Sequence, residues 1–374
     1  MRESLADVLS LDYVGALIGS VAFPILLLPS LRLITASFAI GLTNALVALP
    51  NVFRLRDHLD DYRWVPVYIY LTIAALFVLT LGASNVMAYT QDHLYFDRVV
   101  WKTQSPHQSL VVTNTWKHND VRLFIDGHLQ SAQVDEYCYH EALVHPVMSW
   151  TPAPPETVLI LGGGDGMAVR EVLRHPSVPR IDLVDLDPEM TRLGTEFAPV
   201  KRLNGDSVAP PKVHAHNEDA FLYVREIDRR YDRVIIDFPD PHNEALSKLY
   251  SLQVYSLVVA VMTQNATLVT QSSSPFSTTN TCWTVARTLE EMFPEVVSYQ
   301  TSVPSFGIWG GPRGLPHPRR RAGRPARWAA HPHVRSLRRR ARISGRPDAR
   351  QTAGSEFDLN PAIYERYSED CKRR

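Results

Sequence analysis

The chain has 374 residues, 45% of them hydrophobic, with 39 basic and 39 acidic side chains, so more than one domain is within reach. The zero net charge hides a split: residues 311–350 hold 13 arginines, no lysine and one acid, and the remainder carries 26 basic against 38 acidic residues, a balance of −12. An acidic body excludes nucleic acid as a default partner, and three scattered cysteines (Cys138, Cys282, Cys371) exclude a disulfide framework and fit a reducing compartment.

Residues 1–91 read as membrane helices, with two or three spans. Tyr13–Leu31, Leu33–Phe53 and Trp64–Gln91 contain no charged residue, and a bilayer core needs roughly 20 apolar residues as helix. Pro24, Pro29 and the single Arg32 allow the first two stretches to form a tight hairpin or a partly re-entrant pair. A buried helical subdomain is the alternative; a cleaved signal peptide would leave the later stretches unexplained. The expected location is the cell membrane, multi-pass, with the rest of the chain cytoplasmic. Arg54, Arg56 and Arg63 favour a cytoplasmic second loop. With three spans that loop would put the following domain outside, so either one stretch does not span or further spans precede it.

Residues 92–150 read as a small antiparallel β-domain with a connecting helix. "SLVVTNTW" and "VRLFIDGHL" are β-rich runs on either side of a turn at Asn119 and Asp120. "DEYCYHEALVHPVMSW" reads as a helix starting near Asp135, and "TPAPPE" as a linker. Residues 151–310 alternate strands ("TVLILGG", "RIDLVDLD", "KVHAHNED", "DRVIIDFPD", "ATLVTQSS") with helices such as "MAVREVLRH" and "PEMTRLGTEF". That alternation predicts an α/β fold with a Rossmann-like, doubly wound parallel sheet, whose ligands bind beyond the carboxyl ends of the strands.

Five acids fall at or just past those ends: Asp165, Asp185, Asp219, Asp237 and Asp240. "LGGGDG" has the spacing G-x-G-x-G, since Met167 stands where a dinucleotide loop has its last glycine, and Gly162–Ala168 contains no basic residue to hold phosphate. A glycine turn carrying a carboxylate suits adenosine with a cationic tail. Asp185, about 20 residues on, is placed for ribose hydroxyls, and the cap before Pro188 fits Asp187 better. Asp219 could accept from an adenine amino group or simply cap the next helix. Asp237 and Asp240, three apart across a proline turn, could hold a diamine or accept a proton from an amine. A metal is the competing use of clustered acids, but no pair in this set has tight ligand spacing, and none is expected.

Taken together, "DGHLQ", "DEYCYHEALVHP", "LILGGGDG", "REVLRHPSV", "VDLDPEM" and "DFPDP" resemble the spermidine synthases, or polyamine aminopropyltransferases, from about Gln108 to Gly310. The apolar N-terminus is similar to their membrane-attached bacterial branch. The resemblance implies a class I methyltransferase-like fold after a small β-domain. It implies transfer of the aminopropyl group of decarboxylated S-adenosylmethionine to putrescine or a related amine, giving spermidine and methylthioadenosine. No prosthetic group is implied, the donor being a co-substrate. Asp237 would accept the proton, and Tyr139 and Asp240 would hold the amine. Gln108, His140, Asp165, Asp185, Asp219 and Ala220 would bind the donor, Asp165 on its ammonium and Asp185 on its ribose. Membrane lipid and a homodimer complete the expected partners. Two departures fall on the acceptor side: "HNEALSKLYS" replaces a glycine-proline loop, and Phe306 stands where soluble members have a polyamine-contacting tyrosine. A methyltransferase using the intact donor and an inactive membrane-tethered homologue are the rival functions.

Residues 311–353, built almost wholly of Arg, Pro, Gly, Ala and His, break off the family pattern at "VPSFGIWG". They have the composition of GC-rich codons read out of phase, and "FDLNPAIYERYSEDCKRR" within the C-terminal tail, 354–374, resembles ordinary protein again. A basic disordered tail is the alternative. A shifted frame predicts an irregular segment and a sheet lacking its last antiparallel strand, with "VVSYQTSV" unpartnered on that side.

Overall fold

A computed structural model describes residues 13–21, 23, 25, 33–54, 64–116, 119–151, 153–315, 334–336 and 366–370. The chain divides into two compact units, residues 1–96 and 97–374. The first unit contains the helical residues 13–21 and two long helices, α1 (Leu33–Arg54) and α2 (Val65–Leu94). Pro66 sits in the first turn of α2, where its missing N–H costs nothing. Gly41 of α1 faces Leu76 of α2, where a Cβ would stand 3.4 Å from a leucine methyl, in ordinary packing contact. Their threonines turn inward on the backbone: Thr43, Thr72 and Thr80 donate to carbonyls one turn back at 2.9, 2.8 and 2.7 Å. Two segments, Thr35–Arg54 (20 residues) and Val65–Gly82 (18 residues), are long and apolar enough to cross a membrane. Eight residues of the first apolar stretch, Tyr13–Leu31 (22, 24 and 26–31), lie outside the described residues. The unit boundary falls five residues later than the sequence suggests, because α2 runs on as helix through Gln91, Asp92 and His93.

The second unit opens with a four-stranded antiparallel meander, β1 (Arg98–Gln104), β2 (Ser109–Asn114), β3 (Val121–Ile125) and β4 (His128–Ala132). Two of these strands were not anticipated. "VRLFIDGHL" is not one run: Asp126 (φ 50°) and Gly127 (φ 83°) are both left-handed, the requirement of a two-residue hairpin turn, and they split it into β3 and β4. β1 alternates exposed and half-buried residues and so lacks an apolar signature. Leu110, Val112, Leu123 and Ile125 pack this sheet onto Met167, Met190, Leu193 and Val200.

After α3 (Glu136–Met148) the chain forms an eight-stranded sheet. Its central strands β5 (Thr157–Gly162), β6 (Arg180–Val184), β7 (Val213–His216), β8 (Tyr231–Asp237) and β9 (Met262–Thr270) pair in parallel. Alternate side chains feed two cores. Leu159, Leu161, Val234 and Ile236 pack with Tyr223 of α7 (Ala220–Glu226), Val258 of α9 (Leu252–Ala260) and Leu289 of α10 (Thr279–Glu290). Val158, Ile160 and Ile235 pack with Leu143, Val147 and, from α4 (Met167–Leu173), Val169. Each face is thus covered by helices, which is why the strands read as continuous apolar runs. The other helices, α5 (Pro188–Glu196), α6 (Ala198–Leu203) and α8 (Glu244–Lys248), connect strands. The strand order reverses direction at β5, which stands between β6 and β8.

The last strands correct the sequence reading. β10 (Glu295–Val303) pairs antiparallel along its whole length with β11 (Gly307–Leu315), and β11 also pairs with β9 through Arg313 and Gly314. The sheet is therefore closed on that side, and the first five residues of the Arg/Pro-rich segment belong to it. The pairing is made by main-chain groups and asks little of the sequence. Arg313 is fully buried because its guanidinium stacks on Trp150, 3.5 Å from the ring centroid, and donates to the Pro146 carbonyl at 3.2 Å. A short β12 (Val334–Ser336) pairs with the far side of β10. The remainder of the segment, 316–333 and 337–353, lies outside the described residues. Cys138 and Cys282 are buried free thiols.

Candidate active site

A cavity of about 730 Å³ lies beyond the carboxyl ends of β5, β6, β8 and β9. Its floor is the loop after β5. Gly162 and Gly163 take φ of 82° and 71°, and a Cβ on Gly162 would collide with the Asp237 carbonyl. Only glycine lets this loop pass between the ends of β6 and β8. The Gly164 amide, just beyond, donates to Asp185 Oδ2 at 2.8 Å. Asp165 follows at the start of α4, its Oδ1 accepting from the Met167 amide at 3.0 Å and its carbonyl held by Asn204 at 2.7 Å.

Asp185 ends β6. Burial, with the nearby charges of Asp165 and Asp187, pushes its carboxyl up from 3.8 to about 6 against the pull of the Gly164 and Asp187 amides. Asp187 is the helix cap, accepting from the Glu189 amide at 3.0 Å and from Ser105 at 2.7 Å. Asp219 caps α7, accepting from the Phe221 and Leu222 amides at 2.7 and 3.3 Å, and with Ala220 it also lines the cavity.

Asp237 ends β8, and the Tyr139 hydroxyl of α3 donates to its Oδ1. Burial raises the Asp237 pKa and Asp165 adds to the rise, while His140 and the tyrosine bond oppose it. Asp240 is likewise raised by burial, although Gln271 (3.0 Å) and Ser273 (3.2 Å) donate to its two oxygens. His140 is fixed by Glu136, whose Oε2 lies 2.8 Å from Nδ1 and whose two oxygens take a bidentate pair from Arg170 at 2.8 and 2.9 Å. Burial alone would push the imidazole down, but Glu136 outweighs it and brings His140 up to about 9. Burial raises Glu136 in turn, and His140 and Arg170 bring it down to about 2.

All nine residues singled out from the sequence, Gln108 included, line this one cavity. Others line it that the sequence did not single out. Gln271 and Ser273 follow β9 and obey the same strand-end rule as the acids, so they were within reach. His242 comes two residues after Asp240 and meets His128 of β4 with ring centroids 4.8 Å apart, a contact between distant segments. Trp309 stacks edge-on against Tyr139 at 5.0 Å. Tyr367 arrives from the far C-terminal end of the chain. Seven aspartates line the cavity, and among the described residues no lysine or arginine does. The wall is thus electronegative and suited to a cation. A separate cluster lies outside it: the ligand atoms of Glu141, His145 and Glu171 fall within 4.8 Å of one another. Glu141 and His145 are one helical turn apart, the spacing that could have announced them. Arg170 and Arg174 already pair with Glu171 at 2.8 and 2.9 Å.

Comparison with known proteins agrees with this architecture. Residues 136–310 match the model of the spermine/spermidine synthase domain. A polyamine aminopropyltransferase of Streptomyces coelicolor is 40% identical over 314 residues, covering 82% of this chain and 59% of the relative. One from Leptospira interrogans is 40% identical over 312 residues, covering 83% and 61%. The chain thus spans about three-fifths of the length of these curated relatives. Among solved structures, a spermidine synthase in complex with the transition-state analogue AdoDATO superposes with a TM-score of 0.55 at 25% identity over 59% of this chain and 74% of that one. The spermidine synthase of Thermotoga maritima gives 0.53 at 24% identity over 59% and 73%, a likeness of fold. In sequence and fold together, residues 136–310 of this chain are a spermine/spermidine synthase domain.

Proposed function

We propose that the chain is a polyamine aminopropyltransferase, moving the aminopropyl group of decarboxylated S-adenosylmethionine to putrescine or a related amine. The observation that carries this is the cavity wall: seven aspartates with no lysine or arginine among the described residues. A sulfonium donor with an ammonium tail and a diamine acceptor bring several positive charges, and an acidic wall matches them. Intact S-adenosylmethionine also carries a carboxylate, for which this wall offers only histidines as basic partners, so methyl transfer is the weaker alternative.

The roles proposed for the cavity residues are those the family resemblance implies. Asp185 faces the donor ribose; Asp219 and Ala220 face the base; Gln108, His140 and Asp165 hold the aminopropyl end, Asp165 on the ammonium. Asp240 and Tyr139 hold the acceptor. A primary amine has a pKa of about 10.4 in water, so a nucleophile must be made by removing a proton. Asp237, lifted by burial above the ordinary carboxylate range, is suited to accept it. The amine nitrogen then attacks the methylene beside the sulfonium. The C–N bond forms as the C–S bond breaks, its electron pair stays on sulfur, and methylthioadenosine leaves as a neutral thioether. The proton passes to Asp237 and on to solvent. With so good a leaving group, the protein contributes mainly alignment and deprotonation.

The first unit supports membrane attachment. Leu71, Val78 and Leu81 of α2 point outward, 62%, 65% and 70% exposed, an apolar surface that lipid would cover. We take α1 and α2 as a hairpin anchor for the unit that follows.

Substituting Asp165→Asn tests the functional reading. It should weaken binding of the decarboxylated donor at least ~10-fold, as loss of a charge-assisted hydrogen bond does, and leave methylthioadenosine, which lacks the ammonium, nearly unchanged by calorimetry. Equal weakening of both ligands would show that Asp165 only shapes the loop.

A further inference from the structure

The described residues after the Arg/Pro-rich segment include a short helix, 366–370, that returns to the cavity. Thr278, at the N-cap position of α10, makes no side-chain capping bond. Asp370 fills that place from 90 residues away: its carboxylate accepts from the Asn280 amide (3.0 Å), the Asn280 side chain (3.0 Å) and the Thr281 amide (3.3 Å). Asp370 is buried in doing so. Arg366 adds a hydrogen bond to Thr284 on the next turn of α10. A helix N-terminus and a buried carboxylate are complementary in charge and in hydrogen bonding, so this is a specific dock.

The dock has a consequence one turn back. Tyr367 lines the cavity, and its hydroxyl donates to Asp240 Oδ2 at 3.5 Å. The same oxygen accepts from Ser273 at 3.2 Å, Ser273 shares a 2.7 Å bond with Thr278, and Oδ1 accepts from Gln271 at 3.0 Å. The carboxylate of Asp240 is therefore oriented from both ends, and one of its orienting groups comes from the C-terminal helix. Phe306, on the same wall, has no hydroxyl to offer.

We propose that the helix at 366–370 is part of the acceptor site: Asp370 locks it onto α10 so that Tyr367 positions the Asp240 carboxylate and narrows the end of the cavity where the amine enters. This rests on the aminopropyl-transfer reading, with Asp240 as the group that holds the acceptor ammonium. Tyr367 acts through Asp240 and is a positioning residue. Residues 366–370 then belong to the acceptor site, whatever the origin of the arginine-rich stretch before them.

The test is steady-state kinetics of the full chain with decarboxylated donor and putrescine, beside calorimetry of the donor and thermal melting. Tyr367→Phe should raise the KM for the amine ~3–10-fold, the weight of one hydrogen bond to a charged group, with kcat and donor affinity within a factor of two and melting unchanged. Asp370→Ala should raise the amine KM likewise by releasing the helix, with melting lowered by loss of the α10 cap, and Asp370→Asn, which still caps, should restore most of the amine affinity. A KM for the amine that is unchanged in Tyr367→Phe, in a wild-type chain that does transfer the aminopropyl group, would overturn the role of Tyr367 alone. A wild-type chain that binds the donor but transfers nothing to any diamine would overturn the functional reading and this inference with it.

Discussion

Asp237 is where sequence, position and electrostatics converge. It stands at the end of a buried parallel strand, it accepts a hydrogen bond from Tyr139, and burial raises its pKa. Asp237→Asn keeps the shape and loses the basicity. Rapid-quench or steady-state assays should find turnover reduced ~10²–10⁴-fold, the usual weight of a general base, with donor affinity retained; turnover within a few-fold of wild type would remove Asp237 from that role. The acids were legible in the sequence because strand ends are read from apolar runs and parallel sheets put ligands there. His128 and Tyr367 were not, because each reaches the cavity through a contact between segments far apart in the chain, and no local pattern encodes that.

The elements that hold the site are tied by a buried ionic clamp, His140 and Glu136 of α3 with Arg170 of α4. His140 is raised from 6.5 to about 9, so its share of stability is complete below pH 6.5 and is lost as pH rises through 9. Glu136 is depressed from 4.5 to about 2, so its share is complete above pH 4.5 and is lost only as pH falls through 2. Melting temperature should therefore fall between pH 6.5 and 9.5, by up to about 3 kcal/mol of stability, and Glu136→Gln should flatten that limb. A wild-type melting curve flat across this range would contradict the clamp. The C-terminal strand is the element the sequence concealed. "GIWGGPRGL" carries few apolar side chains, yet β11 is paired on both sides, because glycines admit close packing and Trp150 shields Arg313. Gly314 packs so tightly on Phe293 that a Cβ would overlap the ring. Gly314→Ala should destabilise the protein by ~1–3 kcal/mol, as overpacking does, measured by denaturant unfolding. A neutral effect would mean that the strand does not insert between β9 and β10.

At the scale of the whole molecule, two units with opposite surfaces share one chain. The first exposes apolar helix faces, and the second encloses its apolar cores and keeps an acidic cavity. The full chain should sediment with membranes and need detergent to extract. A chain beginning at Asp97 should remain in the aqueous fraction, and recovery of the full chain there without detergent would contradict the anchor. The α/β class and the parallel sheet were legible from the alternation of apolar runs with helices. The antiparallel close of the sheet was not, because main-chain pairing made by glycine, proline and arginine leaves no hydrophobic periodicity. Above both units stands the claim that the cavity unites a sulfonium donor with an amine. The most direct measurement is product analysis of the purified full chain incubated with labelled decarboxylated S-adenosylmethionine and a panel of diamines. The account predicts methylthioadenosine and an amine lengthened by one labelled aminopropyl group, in equal amounts. Methylthioadenosine without a lengthened amine, or no turnover with any amine despite tight donor binding, would contradict it.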